Sequence, residues 1–233
     1  MGSLGEKMRR IFCFFFAVCS LSAENNLASE ADLRHYVHHH LPSIQGWCSP
    51  EKAKKFIDLT LRIKPDLCVE IGTYAGSSLF PVACTLKYLQ HGVVVAIDAW
   101  DKLEAIKYFD PITGSLHIDY WGRINMDQVY YSFLNLLRAH ELTEYCIPMR
   151  TTSERAAPVV NGSIDFLYID GNHSRIVSMK DVASYLPKVR PGGYICVNDP
   201  LDTELQDAVD TLLETCEFVE LFDGDRALLL RKK

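Results

Sequence analysis

The chain has 233 residues, 48% of them apolar and 11% aromatic, enough to bury a substantial core in one globular domain. Its net charge of -6 argues against a nucleic-acid groove, which needs clustered Lys and Arg to displace counterions. A small molecule is the expected partner.

At the N-terminus, Lys7, Arg9 and Arg10 precede the apolar run 11–21, and Ser22 and Ala23 follow it. This is the grammar of a signal peptide or membrane anchor over 1–23, and the run is too short to span a bilayer comfortably. Ala23 is an acceptable last residue before cleavage, although Leu21 is larger than the small residue preferred there. The cysteines point elsewhere. Apart from Cys13 and Cys19, the six at 48, 68, 84, 146, 196 and 216 form no CxxC, and Cys68, Cys146 and Cys196 fall in expected core strands. That usage suits a reducing, cytoplasmic setting, whereas the leader suggests export or membrane association.

Residues 24–49 read as a polar, helical extension ending in Gly46-Trp47-Cys48-Ser49-Pro50, with Ser49 as N-cap and Pro50 at the first position of a helix reaching Ile63. The domain proper is expected over 50–233. Strands are expected at 66–71, 93–98, 145–149, 164–170 and 194–197, mostly continuous apolar runs of the kind buried on both faces. Helical patterns separate them, such as Leu79, Val82, Ala83, Leu86 and Met179, Val182, Ala183, Leu186. Strict alternation implies a doubly wound α/β fold with a mostly parallel sheet. The segments 218–222 and 227–230 flank Asp223-Gly224-Asp225, the signal for a C-terminal antiparallel hairpin.

In such a sheet ligands collect at the carboxyl ends of the strands. The first strand ends in Glu70-Ile-Gly72-Thr73-Tyr-Ala-Gly76-Ser-Ser78 and passes directly into a helix, whose free N–H groups and glycines suit a bound ligand. The second ends on Asp98, whose carboxylate can accept both hydroxyls of a ribose. The loop lacks GxGxxG, which disfavours an NAD-dependent oxidoreductase. Together, Glu70, Gly72, Gly76 and Asp98 resemble the first two motifs of class I S-adenosylmethionine-dependent methyltransferases. That resemblance implies a Rossmann-like fold of seven strands and an S-adenosylmethionine site drawing on Glu70, Gly72, Thr73, Gly76, Ser78, Asp98, Ser153 and Asp170. Ser153 reads equally well as the N-cap of a short helix before Pro158.

The fourth strand ends in Asp170-Gly-Asn-His173 and the fifth in Val197-Asn198-Asp199. Asp170, Asn198 and Asp199 converging in one crevice suit Mg²⁺, and His173 is placed to act as general base on an acceptor hydroxyl. This set resembles the metal-dependent small-molecule O-methyltransferases, catechol-type enzymes and more closely the macrocin O-methyltransferase and cephalosporin hydroxylase-like group, over Gly46 to Lys233. Asn198 departs from the acidic residue frequent in those relatives, so His173 and positioning could act without metal. A noncatalytic binding module on the same fold at the cell envelope is the alternative.

The aromatic-rich segment 101–140 is expected to be a lid-like insertion shaping an acceptor pocket, and any single aromatic in it reads equally well as packing or as a dimer contact of a homo-oligomer. Among His35, His38, His39 and His40 the i, i+3 and i, i+4 pairs share a helix face, but no Cys or carboxylate ligand is obviously partnered with them, and a solvated polar helix explains them at least as well as zinc does. Asn161-Gly162-Ser163 fits a glycosylation acceptor but opens a core strand.

Overall fold

The computed structural model describes residues 27–224 and 226–233. The expected leader over 1–23 lies outside the described residues, and among the described residues no helix is long and apolar enough to cross a membrane.

Five strands, β1 (Leu67–Ile71), β2 (Val93–Asp98), β3 (Cys146–Arg150), β4 (Ile164–Ile169) and β5 (Val189–Asn198), run parallel in the order β3-β2-β1-β4-β5. The hairpin of β6 (Cys216–Phe222) and β7 (Ala227–Lys232) completes the seven-stranded sheet, with β7 antiparallel to β5. β5 starts earlier than its apolar run suggested, because the strand runs on through Pro191, Gly192 and Gly193 across a register shift against β4, with Gly192 at φ +75°. A Cβ at Gly193 would meet Val189 Cγ1 at 2.8 Å, so the close approach there requires glycine.

The helices are α1 (Glu30–His40), α2 (Pro50–Ile63), α3 (Leu79–Leu89), α4 (Lys102–Ala105), α5 (Ser115–Arg123), α6 (Met126–Ala139), α7 (Ser153–Ala156), α8 (Arg175–Tyr185) and α9 (Gln206–Thr215). The period of two along each strand divides the core. Cys68, Phe166, Tyr168 and Cys196 face one way, into a cluster with Phe56, Leu79, Leu86 and Phe133 from α2, α3 and α6. Val69, Ile71, Leu167 and Ile169 face the other way, onto Val182 and Tyr185 of α8 and Val209 and Leu212 of α9. Both faces are covered, which is why the central strands are apolar without alternation.

Two expected boundaries move. The extension is more than a polar arm, since Leu33, Val37 and Leu41 bury their side chains in the first core cluster. The 101–140 segment divides: α6 buries Val129, Phe133 and Leu137 and is the crossover helix between β2 and β3, so the part up to Met126 at its start flanks the cleft. β1 leads to β2 on one side while β4 and β5 lie on the other. The crevice opens where those paths diverge.

Candidate active site

A cleft of about 1430 Å³ lies over the carboxyl ends of β1, β2, β4 and β5. Gly72, Thr73, Ser78, Asp98, Ser153, Asp170, His173, Asn198 and Asp199 all line it. Glu70 and Gly76, expected in the same set, lie beneath it. Glu70 is buried and accepts from Ser78 Oγ at 2.7 Å, and burial pushes its carboxyl up to about 8. It braces the loop from below. Gly76, at φ +89°, is pressed against Phe133: a Cβ there would come 2.8 Å from the ring. Its smallness serves the packing of α6 against the loop.

Gly72 is needed for a different close contact. At φ +87°, it donates to Ile97 O at 2.8 Å, and a Cβ would sit 1.9 Å from Asp170 O. Thr73 is buried, and its Oγ1 has no hydrogen-bond partner although it borders the cleft. A buried hydroxyl without a partner carries a desolvation cost that a bound polar group would relieve.

Asp98 is held by backbone. Tyr74 N donates to Oδ2 at 2.9 Å and Trp100 N to Oδ1 at 2.7 Å. Both donors belong to residues with left-handed backbone, φ 50° and 42°, a conformation that costs non-glycine residues energy and here aims two N–H groups at one carboxylate. Burial raises the carboxyl's pKa and these bonds oppose the rise. Each oxygen keeps a lone pair for a ligand hydroxyl.

Across the cleft, the cap of α7 is Thr152 rather than Ser153, accepting from Arg155 N at 3.4 Å. Ser153 is thereby free to donate to Asp181 of α8. Asp181 is buried with Oδ2 unpartnered, and burial raises its carboxyl to about 7.

His173 stands between two carboxylates, with Nε2 3.6 Å from Asp170 Oδ1 and Nδ1 3.4 Å from Asp202 Oδ2. Burial opposes its charge, but the pairing with Asp170 and Asp202 prevails and lifts the imidazole to about 10.

The expected metal ligands Asp170, Asn198 and Asp199 come together, but other groups of the protein already occupy their donor atoms. Asn198 Oδ1 accepts from Lys52 Nζ at 2.7 Å and lies 3.1 Å from Tyr168 OH. Asp199 is gripped by Arg226, Nε to Oδ1 at 2.8 Å and Nη2 to Oδ2 at 3.2 Å. Tyr168 OH also reaches Asp170 Oδ2 at 2.9 Å. A cation on the Asn198 oxygen would lie a few ångströms from the Lys52 ammonium. At an effective dielectric near 20, two unit charges about 4 Å apart repel by about 4 kcal/mol, and a divalent ion doubles that. The donor set does not fit Mg²⁺. No group of three or more His, Cys, Asp or Glu suited to a metal occurs among the described residues, the α1 histidines included.

The mouth of the cleft is aromatic. Trp47 packs against Tyr74, Tyr120 and Trp121 with ring centroids 5.4 to 5.9 Å apart, and Phe109 stacks on His117 at 4.6 Å. Tyr130 and Phe133 pack on Trp100 instead.

Sequence reasoning missed Lys52, Tyr168, Asn172, Asp181, Asp202 and Arg226. Lys52 carried a readable signal: it lies four residues before Phe56 and seven before Leu59, on the buried face of α2.

Residues 69–200 match the family model described as a methyltransferase domain. No curated protein matches the chain significantly. Among solved structures, the O-methyltransferase NovP is 15% identical, with a TM-score of 0.63 over 79% of this chain and 81% of its own. The S-adenosylhomocysteine-bound methyltransferase PaMTH1 of Podospora anserina is 13% identical, with a TM-score of 0.61 over 100% and 98%. The O-methyltransferase TomG of Streptomyces achromogenes, in complex with S-adenosylmethionine, is 16% identical, with a TM-score of 0.58 over 93% and 95%. At these identities the likeness is one of fold, and it agrees with the seven-stranded topology above. The family match is a separate finding that spans more than half of the sequence, and by it the chain belongs to the methyltransferase domain family.

Proposed function

We propose that the protein transfers the methyl group of S-adenosylmethionine to a hydroxyl oxygen of a small molecule. The observation that carries this reading is that a single cleft holds the Gly72 loop and Asp98 on one side and His173, in its bed of carboxylates, on the other. The residues present fit the methyl donor. Asp98 is pre-oriented with free lone pairs for ribose hydroxyls, and Thr73 Oγ1 is a buried hydroxyl in need of a partner. PaMTH1 and TomG, which share the fold, are bound to the spent and the intact donor.

The donor supplies a methyl carbon activated by an adjacent sulfonium. His173, the proposed general base, would take the hydroxyl proton as the acceptor oxygen displaces the methyl group from the donor sulfur. Asp202 at Nδ1 and Asp170 near Nε2 stabilise the imidazolium that results. The same carboxylates hold the resting imidazole protonated at neutral pH, so the base form is scarce there. The exposed rings of Trp47 and Tyr120 at the mouth offer the acceptor apolar surface.

Titration calorimetry with S-adenosylhomocysteine tests the cofactor assignment. Binding to the wild type and a loss of at least tenfold in Asp98→Ala are expected. Equal binding by both proteins would remove Asp98 from the site and the reading with it.

A further inference from the structure

We infer that two cations of the chain stand at the ends of β4 and β5 where a divalent metal was expected, Lys52 on Asn198 and Tyr168 and Arg226 on Asp199, and that the site works without a metal. The consequence for turnover rests on the methyl-transfer reading above, whereas the cation arrangement does not.

Lys52 is 1% exposed, and lysines are almost never so buried unless paired. It also sits in the first turn of α2, the end of a helix that disfavours positive charge. Its surroundings explain why it is there. Nζ lies 2.7 Å from Asn198 Oδ1, 3.4 Å from Asp223 Oδ2 and 3.5 Å from Tyr168 OH. Asp223 in turn accepts from Ser49, whose own Oγ caps the backbone N–H of Lys52 at 3.0 Å. One helix turn therefore fixes both the ammonium and its counter-ion. From Lys52 a continuous path runs through Tyr168 OH to Asp170 Oδ2, the carboxylate that faces the cleft.

Asn198 fits this arrangement better than the acid expected of a metal ligand. Its Oδ1 accepts from Lys52 while its Nδ2 donates to Asp199 Oδ2 at 2.9 Å. A carboxylate only accepts, so it could not make the second bond. Asp199 is thereby oriented by an amide on one side and by the planar fork of Arg226 on the other, a geometry that matches guanidinium to carboxylate. Each of the three expected metal ligands thus has a defined partner within the protein.

Mn²⁺ is a suitable probe because binding is read directly as loss of the free-ion electron paramagnetic resonance signal. For the full chain, the signal is expected to stay unchanged at equimolar protein and Mn²⁺, and S-adenosylhomocysteine affinity to stay within twofold with EDTA or with added Mg²⁺. The double variant Lys52→Met, Arg226→Met removes both cations while Met keeps most of each side chain's volume; it is expected to gain Mn²⁺ affinity by at least tenfold. Stoichiometric, submillimolar Mn²⁺ binding by the wild type that Asp199→Asn abolishes would overturn the inference, and so would a double variant with no gain. Failure to bind S-adenosylhomocysteine with the Mn²⁺ results as expected would count against the methyl-transfer reading alone.

Discussion

Asn172 Nδ2 lies 2.9 Å from the carbonyl oxygen of Glu104, joining the turn after β4 to the end of α4. The same amide reaches Ala105 O at 3.1 Å and Lys107 O at 3.0 Å, while its Oδ1 accepts from Ser174 N at 2.7 Å. One side chain thus secures the 101–124 flank of the cleft to the loop that carries Asp170 and His173. Asn172→Ala is expected to raise the acceptor KM several-fold and to speed amide exchange over residues 102–109, at a stability cost of about 1 kcal/mol for the lost hydrogen bonds. Asn172→Asp would set a carboxylate against those carbonyls and do more harm. Exchange unchanged in both variants would mean that the flank is held by other contacts.

The pairing of His173 makes turnover depend on pH in a defined direction. With its imidazole lifted to about 10, roughly one molecule in a thousand holds the neutral base at pH 7. If His173 is the base, kcat/KM rises close to tenfold per pH unit from neutrality and levels near pH 10. Asp202→Asn removes one of the two carboxylates that raise the imidazole. The profile of that variant should move to lower pH, with higher activity than wild type near pH 7. A profile flat above pH 7, or one that Asp202→Asn leaves in place, would exclude His173 from proton transfer.

What the sequence made legible was what lies close together along the chain. The strand-and-helix alternation was readable because each period is local, and Asp98, Asp170 and His173 could be singled out because a strand end is a position as well as a composition. The partners that decide the chemistry were not readable in this way. Asp202 meets His173 from the loop after β5, and Lys52 meets Asn198 from a helix at the other end of the domain. Gly76 shows a packing reason that the local motif does not reveal. It sits in the loop where a ligand explains a glycine, yet the neighbour that forbids a side chain is Phe133 of α6. Asn198, read as a weak metal ligand, is better explained by an amide's ability to accept and donate at once.

Two glycines of one loop should therefore respond differently to alanine. Both have positive φ, so both variants carry backbone strain of about 1 to 3 kcal/mol. Gly72→Ala also drives its Cβ onto the Asp170 carbonyl, which is backbone and cannot turn aside. The added atom of Gly76→Ala meets a ring that Phe133→Leu can relieve. Thermal unfolding should show the larger loss for Gly72→Ala, and Phe133→Leu should recover part of the loss only in the Gly76→Ala background. Equal recovery in both would remove the distinction between ligand-side and core-side glycines.

The buried Glu70 gives stability a pH dependence whose sign follows from its position. Its carboxyl ordinarily titrates near 4.5 but is raised by burial to about 8 in the folded chain. Between those values the folded protein keeps a proton that the unfolded chain releases, so stability is greatest below the lower value and falls as pH rises toward the upper one. One such group changes stability by at most about 1.4 kcal/mol for each pH unit crossed within that window. Asp181, raised to about 7, adds to the decline over the lower part of the window. Glu70→Gln retains an acceptor for Ser78 Oγ and has no proton to lose. Its melting temperature should match the wild type near pH 5 and exceed it at pH 8, and parallel curves across that range would mean that Glu70 is ionised in the folded protein.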